Sequence, residues 1–260
     1  MWLIYLLWGS VAGYFAGFLG IGAGVLLMPF LNLMGVPYQS AVDASLMAVF
    51  ASSVTGTIQH QRSSGMVWEP CIVVAIPGAI FALLGSIYLI HMFPVKLLEI
   101  IFAGLMFLNV DLLRIAGKIV KANQSSSDKA LSLSIKDNKQ YFVHFIFIGA
   151  VSGLMASLLG VGGGILIVTM LAVMANFTIK DAVKSSGAIM VVTTFFSLSA
   201  DFAQNTLPYD IGVPAAIGAV IGGFLGTIAL NYVGAGIIRK LNYIISFSLG
   251  FFMIFIVILT

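Results

Sequence analysis

Two glycine-dense runs are the most chemically suggestive feature of the sequence. They read Leu19-Gly20-Ile21-Gly22-Ala23-Gly24 and, at an offset of 140 residues, Leu159-Gly160-Val161-Gly162-Gly163-Gly164. Glycine at that density weakens a helix and permits positive φ, so the chain can break and turn there. A helix that resumes after such a break begins with unpaired N–H groups and the positive end of its dipole. Two such ends facing each other inside a membrane would hold an anion without burying any Lys or Arg. The predicted substrate-binding set is therefore Gly20, Gly22, Ala23, Gly24, Gly160, Gly162, Gly163 and Gly164. The competing reading is close helix packing through small residues, the role expected of Gly9, Gly13 and Gly17 and of Gly218, Gly222 and Gly226. No βαβ pattern surrounds either run, which excludes a nucleotide fingerprint.

Hydroxyls on the segments that follow each run could complete an anion site at lower desolvation cost than a buried charge. Ser45 and Ser186 are the best placed, because they match each other between the two halves. The remaining Ser and Thr residues, Ser52, Ser53, Thr57, Thr193 and Thr194 among them, are equally explained by bonds to helix backbone. Asp201, with Gln204 close behind, is the candidate for a coupling proton. Asp43, Asp111 and Asp210 fall near segment ends, where solvation suffices, and Glu69, Glu99 and Asp181 read as surface residues. His60, His91 and His144 lie far apart, near membrane edges, with no metal-ligand spacing. Cys71, the single cysteine, forms no internal disulfide. No catalytic triad, Cys-His pair or paired carboxylates stand out, so the expectation is a non-enzyme with neither cofactor nor metal. Bulky residues at Gly22 or Gly162 are expected to stop transport with less effect on folding.

The elements that must position these groups follow from composition. Of the 260 residues, 60% are apolar and 8% charged, against roughly 25% charged in soluble domains. Mean hydropathy is +1.12. Such a chain cannot cover a water-facing surface, and its partner is the lipid bilayer rather than nucleic acid. Apolar segments run at about 2–34, 41–60, 70–92, 95–113, 141–175, 182–200, 211–233 and 240–259, most near the ~20 residues that cross the hydrocarbon core. The polarity does not alternate as a barrel requires. The expected fold is thus an all-α polytopic membrane protein: a first repeat over 1–113, a cytoplasmic linker over 114–140 and a second repeat over 141–260. Gly9, Gly13 and Leu19 match Gly149, Gly153 and Leu159, and Pro77 and Gly85 match Pro214 and Gly222. If every segment crosses once, Lys and Arg divide seven to five. If 2–34 and 141–175 are hairpins returning to their own side, eleven share one side and Lys96 alone lies opposite. The hairpin arrangement satisfies the positive-inside rule. It puts both termini outside and makes the halves inverted repeats, each a glycine-broken hairpin followed by three transmembrane helices. The N-terminus lacks the basic region of a cleaved signal and reads as a first membrane segment.

These residues resemble a known family. Gly20-Ile21-Gly22-Ala23-Gly24 and Gly160-Val161-Gly162-Gly163-Gly164, with Pro37 to Ser45 and its echo Thr178 to Ser186, are similar to the shared stretches of the TauE/SafE family of sulfite and sulfonate exporters. The spacing of Pro77-Gly78 and Gly85 fits as well. The resemblance implies a carrier of small sulfur-containing anions such as sulfite or sulfoacetate in a bacterial inner membrane, driven by an ion gradient, with room for a homodimer. The halves depart from each other where Phe177-Thr178 replaces Pro37 and where Lys184 stands near the equivalent of Asp43. A channel with paired re-entrant half-helices is the alternative. A membrane enzyme or scaffold would need catalytic convergence or tolerance of tip mutations.

Overall fold

The computed structural model describes residues 1–64, 68–123, 139–175 and 177–259. Among them the chain is all-α. Helix α1 (Trp2–Leu19) leads through the first glycine run into α2 (Gly24–Leu33), and α3 (Tyr38–Ser64) follows. Next comes α4 (Trp68–Leu84), which continues through a π-helical turn at Gly85–Leu89 into the short α5 (Ile90–Met92). Helix α6 (Val95–Asn123) closes the first half. The second half repeats the order with α7 (Lys139–Leu159), α8 (Gly164–Met174), α9 (Ile179–Ala203), α10 (Tyr209–Tyr232) and α11 (Ala235–Leu259).

Seven described helices are long and apolar enough to cross a membrane: α1, α3, α4 with its π turn, α7, α9, α10 and α11. Their outward faces carry large apolar side chains, as Phe247, Phe251, Ile254 and Phe255 do on α11, which suits a lipid surround. The hairpins are unequal. Their first arms have 18 and 21 residues, while α2 and α8 have 10 and 11. At 1.5 Å per residue the second arms reach about 15 Å, half the hydrocarbon thickness. Each hairpin is thus one long arm and one half-length return, rather than two arms of equal length.

The polar stretch begins later than its composition indicates. Helix α6 runs to Asn123 because Leu113, Ile115, Ile119 and Val120 sustain a helical apolar period. Arg114 is held there by Asp111 at 3.0 Å and by the Tyr243 hydroxyl at 2.8 Å. Residues 124–138, with Lys129 and Lys136, lie outside the described residues, as do the side chains of His91 and Tyr141.

Packing crosses between the halves. Helix α1 lies against α10, α4 against α7, α3 against α9 and α6 against α11. At Gly9 and Gly13 of α1, a Cβ would run into the backbone of Ala215 and Ala219 of α10, and Gly218, Gly222 and Gly226 meet the backbone of Leu6, Ser10 and Tyr14 in return. These stripes serve close packing. Gly149 and Gly153 of α7 meet α4 at Val74 and Gly78 in the matching way. Helices α3 and α9 run antiparallel, since Thr57 faces Gly187 and the Phe50 and Phe195 rings lie 6.2 Å apart. The half-helices α2 and α8 fill the middle, and Gly164 through Ala172 are buried without interruption.

Candidate functional site

The two glycine runs meet. Helix α1 ends on Gly20 (φ 69°), whose N–H returns to the Ala16 carbonyl at 2.8 Å; α7 ends on Gly160 (φ 66°), bonded to Ala156 at 3.0 Å. A Cβ at Gly24 would overlap the Gly160 carbonyl oxygen, and one at Gly164 would sit 2.6 Å from the Gly20 carbonyl oxygen. The tips therefore touch backbone to backbone. They differ in one torsion: Ala23 is right-handed (φ −61°), whereas Gly163 is left-handed (φ 75°). That explains why the first tip tolerates a side chain where the second does not. No backbone hydrogen bond is donated by the N–H groups of Ile21–Gly24 or Val161–Gly164 among the described residues, so both half-helix starts keep donors in hand.

Ser45 and Ser186 are brought to the tips, each to the other half's. The Ser45 hydroxyl lies 2.9 Å from the Gly160 carbonyl oxygen and 2.8 Å from that of Val42; Ser186 lies 3.0 Å from Gly20 and 2.8 Å from Val183. With one proton each and two carbonyls within reach, these hydroxyls clamp the tips in this conformation. Net values for such bonds are about 1 kcal/mol. Ser45→Ala and Ser186→Ala should each lower the melting midpoint by about 2–4 °C, by similar amounts, as thermal scans of the purified variants would read.

The freedom to substitute at the tips is smaller than the sequence indicates. A Cβ at Gly22 meets the Val161 carbonyl, and one at Gly162 lies 2.5 Å from Val49 Cγ1. Bulk there disturbs the core of the fold together with any transport step.

Two buried polar groups flank the tips along α3 and α9. Asp43 and Asp201 have 0% and 2% of their surface exposed, so neither is a solvated segment-end carboxylate. Among the described residues the polar groups beside the Asp43 carboxyl are the Thr206 hydroxyl, its donor neighbour, and the Asp201 carboxyl. The Gln204 amide reaches the carbonyls of Ser86 and Ala200 at 3.3 and 3.4 Å, and thus braces the end of α9. Asp111 and Asp210 are exposed as expected. Glu99 is not on the surface: it is buried and accepts from Asn32 at 2.7 Å, tying α2 to α6. His60, expected at an edge, is also buried, within electrostatic reach of Lys184. Beside Gly17 and Gly20 lies a cavity of about 20 Å³ lined by Ser52, Ser53, His60 and Gly187.

The sequence model of the family described as Sulfite exporter TauE/SafE matches residues 5–253. The chain belongs to this family. Among its relatives, the probable membrane transporter protein MJ0441 of Methanocaldococcus jannaschii is 29% identical over 220 residues, covering 80% of this chain and 77% of the relative. A probable membrane transporter protein of Xylella fastidiosa is 28% identical over 224 residues, with 85% and 81% covered. YdhB of Bacillus subtilis, also called a probable membrane transporter protein, is 21% identical over 244 residues, with 94% and 96% covered. No solved structure matches the chain. The paired glycine runs and the buried α3–α9 polar groups thus sit in a multi-pass TauE/SafE membrane transporter.

Proposed function

We propose that the chain is a secondary transporter that carries a small sulfur-containing anion, sulfite or an organosulfonate, out across a bacterial inner membrane. The observation that carries this reading is the meeting of two helix breaks in the protein's interior, each leaving unspent N–H donors at the start of a half-helix. Such ends favour an anion with no buried cation. The family description supplies the sulfur oxyanion as the substrate class. The matched pairings of α1 with α10 and α7 with α4, together with the charge distribution, support inverted repeats that alternate access around the tips. Both termini then face the periplasm and the linker between the two halves the cytoplasm. Asp201, now joined by Asp43, is the coupling element.

A thermal-shift series on the detergent-purified protein with sulfite, sulfate, sulfoacetate, taurine and chloride tests this. A ligand of the folded state at a hundredfold excess over Kd adds about 2.7 kcal/mol, a rise of several degrees. Sulfite or a sulfonate should raise the midpoint and chloride should not. Fast, unsaturable flux of chloride with no shift from any sulfur anion would instead mark a channel.

A further inference from the structure

The surroundings of the two tips differ in bulk and in charge. At the offset of 141 that aligns Ser45 with Ser186, Gly187 corresponds to Leu46, Gly56 to Ser197 and His60 to Asp201; at 140, Gly17 corresponds to Ser157. Beside the second tip these positions are filled. Leu46 is fully buried, Ser197 is bonded to Ser86 at 2.7 Å, and Ser157 is bonded to the Gly153 carbonyl. Beside the first tip, Gly56 and Gly187 border the cavity described above, while a Cβ at Gly17 would be aimed at the α10 backbone at Gly223.

Its wall holds a donor with nothing to bond. The Ser53 hydroxyl lines the cavity, is 4% exposed and has no hydrogen-bond partner. Outside the lining, the Thr57 hydroxyl faces Gly187 and likewise has no partner among the described residues. Native proteins rarely leave buried hydroxyls unpaired unless something else occupies the space. His60 forms part of the lining as a buried ring, and the nearest cation is Lys184, within its electrostatic reach and paired with Asp181 at 3.7 Å. Arg62 and Lys180 stand at the same ends of α3 and α9.

We propose that this cavity is the anion's binding site on the basic side of the tips, in its contracted form, with Ser53 as a donor, His60 as the nearby polarising ring, and Gly187 and Gly56 setting its width. It rests on the anion-transport reading and adds a location to it. The free space is about that of one water, so a four-atom oxyanion enters as the first tip draws back from α9. Access from this side is through side chains that attract an anion, whereas the corresponding place beside the second tip ends in Asp201, which repels one.

The test copies the filled side onto the open one. A Cβ at Gly187 or Gly56 meets only the hydroxyl of Thr57 (3.3 Å) or of Thr227 (3.4 Å) and no backbone, so Gly56→Ser spares the helix packing, while the further carbons of Gly187→Leu overfill the cavity and cost some stability. Radiolabelled sulfite uptake into proteoliposomes should fall by about tenfold or more in Gly187→Leu. In Gly56→Ser the loss should be smaller and the melting midpoint near that of the native chain. Separately, Ser53→Cys in a Cys71→Ala background should react with an anionic methanethiosulfonate, and saturating sulfoacetate, which unlike sulfite does not itself consume the reagent, should slow that reaction. Undiminished uptake by folded Gly187→Leu would overturn the site alone, as would labelling at Ser53→Cys that ignores sulfoacetate. Should Gly187→Leu not fold, Gly56→Ser and the labelling experiment decide. A native protein that takes up neither sulfite nor any sulfonate would overturn the transport reading, and the site with it.

Discussion

Replacing Gly22 by alanine should lower the melting midpoint of the purified protein by about 10 °C. Two costs combine. Gly22 has φ 86°, a left-handed conformation that costs an L-residue roughly 1–2 kcal/mol. The new Cβ would also press on the Val161 carbonyl of the opposite tip, and overpacking of that kind costs about 1–3 kcal/mol. At about 2–4 °C per kcal/mol for a chain of this size class, the sum is a large fraction of the stability. Gly104→Ala provides the contrast. Gly104 sits within α6 with nothing within 4 Å of a built Cβ, so alanine there should stabilise by about 0.5–1 kcal/mol through helix propensity. The two variants make the same chemical change and should move the midpoint in opposite directions. A Gly22→Ala protein as stable as Gly104→Ala would mean that the tips do not touch.

Asp43→Asn should leave the protein at least as stable and abolish accumulation driven by a pH gradient. Asp43 is wholly buried, with the Thr206 hydroxyl the donor beside its carboxyl, so the neutral amide removes a charge that one hydroxyl does not compensate. A second carboxyl, Asp201, stands within its electrostatic reach, and both lie within helices long enough to cross the membrane. Two carboxyls so placed are suited to taking up and releasing one proton, and the exposed residues Gln204 and Asn205 just beyond give a short way to water. In proteoliposomes, Asp43→Asn should still exchange labelled sulfite for unlabelled sulfite at equal pH on both sides. It should fail to concentrate sulfite when a pH gradient is imposed. Gradient-driven accumulation undiminished in both Asp43→Asn and Asp201→Asn would remove the pair from coupling.

Much of the fold was legible because hydrophobic length is a direct signal in a bilayer. Segment positions, the two breaks and the role of Gly9, Gly13 and Gly17 as packing glycines follow from spacing alone. The burial of Asp43, His60 and Glu99 did not, because each stands near the end of an apolar run, and a run shows only where solvation is possible. Burial there depends on what covers the helix end: Asn32 of α2 reaches Glu99, and the turn after α9 brings Thr206 beside Asp43. The repeat register held a usable signal, since His60 and Asp201 occupy equivalent positions on antiparallel helices and so mark opposite ends of one pair. The clamping of each tip by the other half's serine was beyond the sequence. A hydroxyl at a matched position is compatible with a bond to anion or to carbonyl, and only the approach of the two backbones decides between them.

The crossed packing also imposes an order of assembly in time. The glycine face of α1 fits α10, yet some 190 residues separate Leu19 from Tyr209. At about 5–20 residues per second, synthesis of that interval takes roughly 10–40 s. Through that time α1 sits in lipid with its small-residue face bare, able to pair with whatever helix passes. Helix α4 has a shorter wait for α7, its partner across the middle of the chain. The last-made helices therefore complete the first-made one, and a nascent chain that stops before α10 leaves its own N-terminal helix without the surface it was shaped to meet.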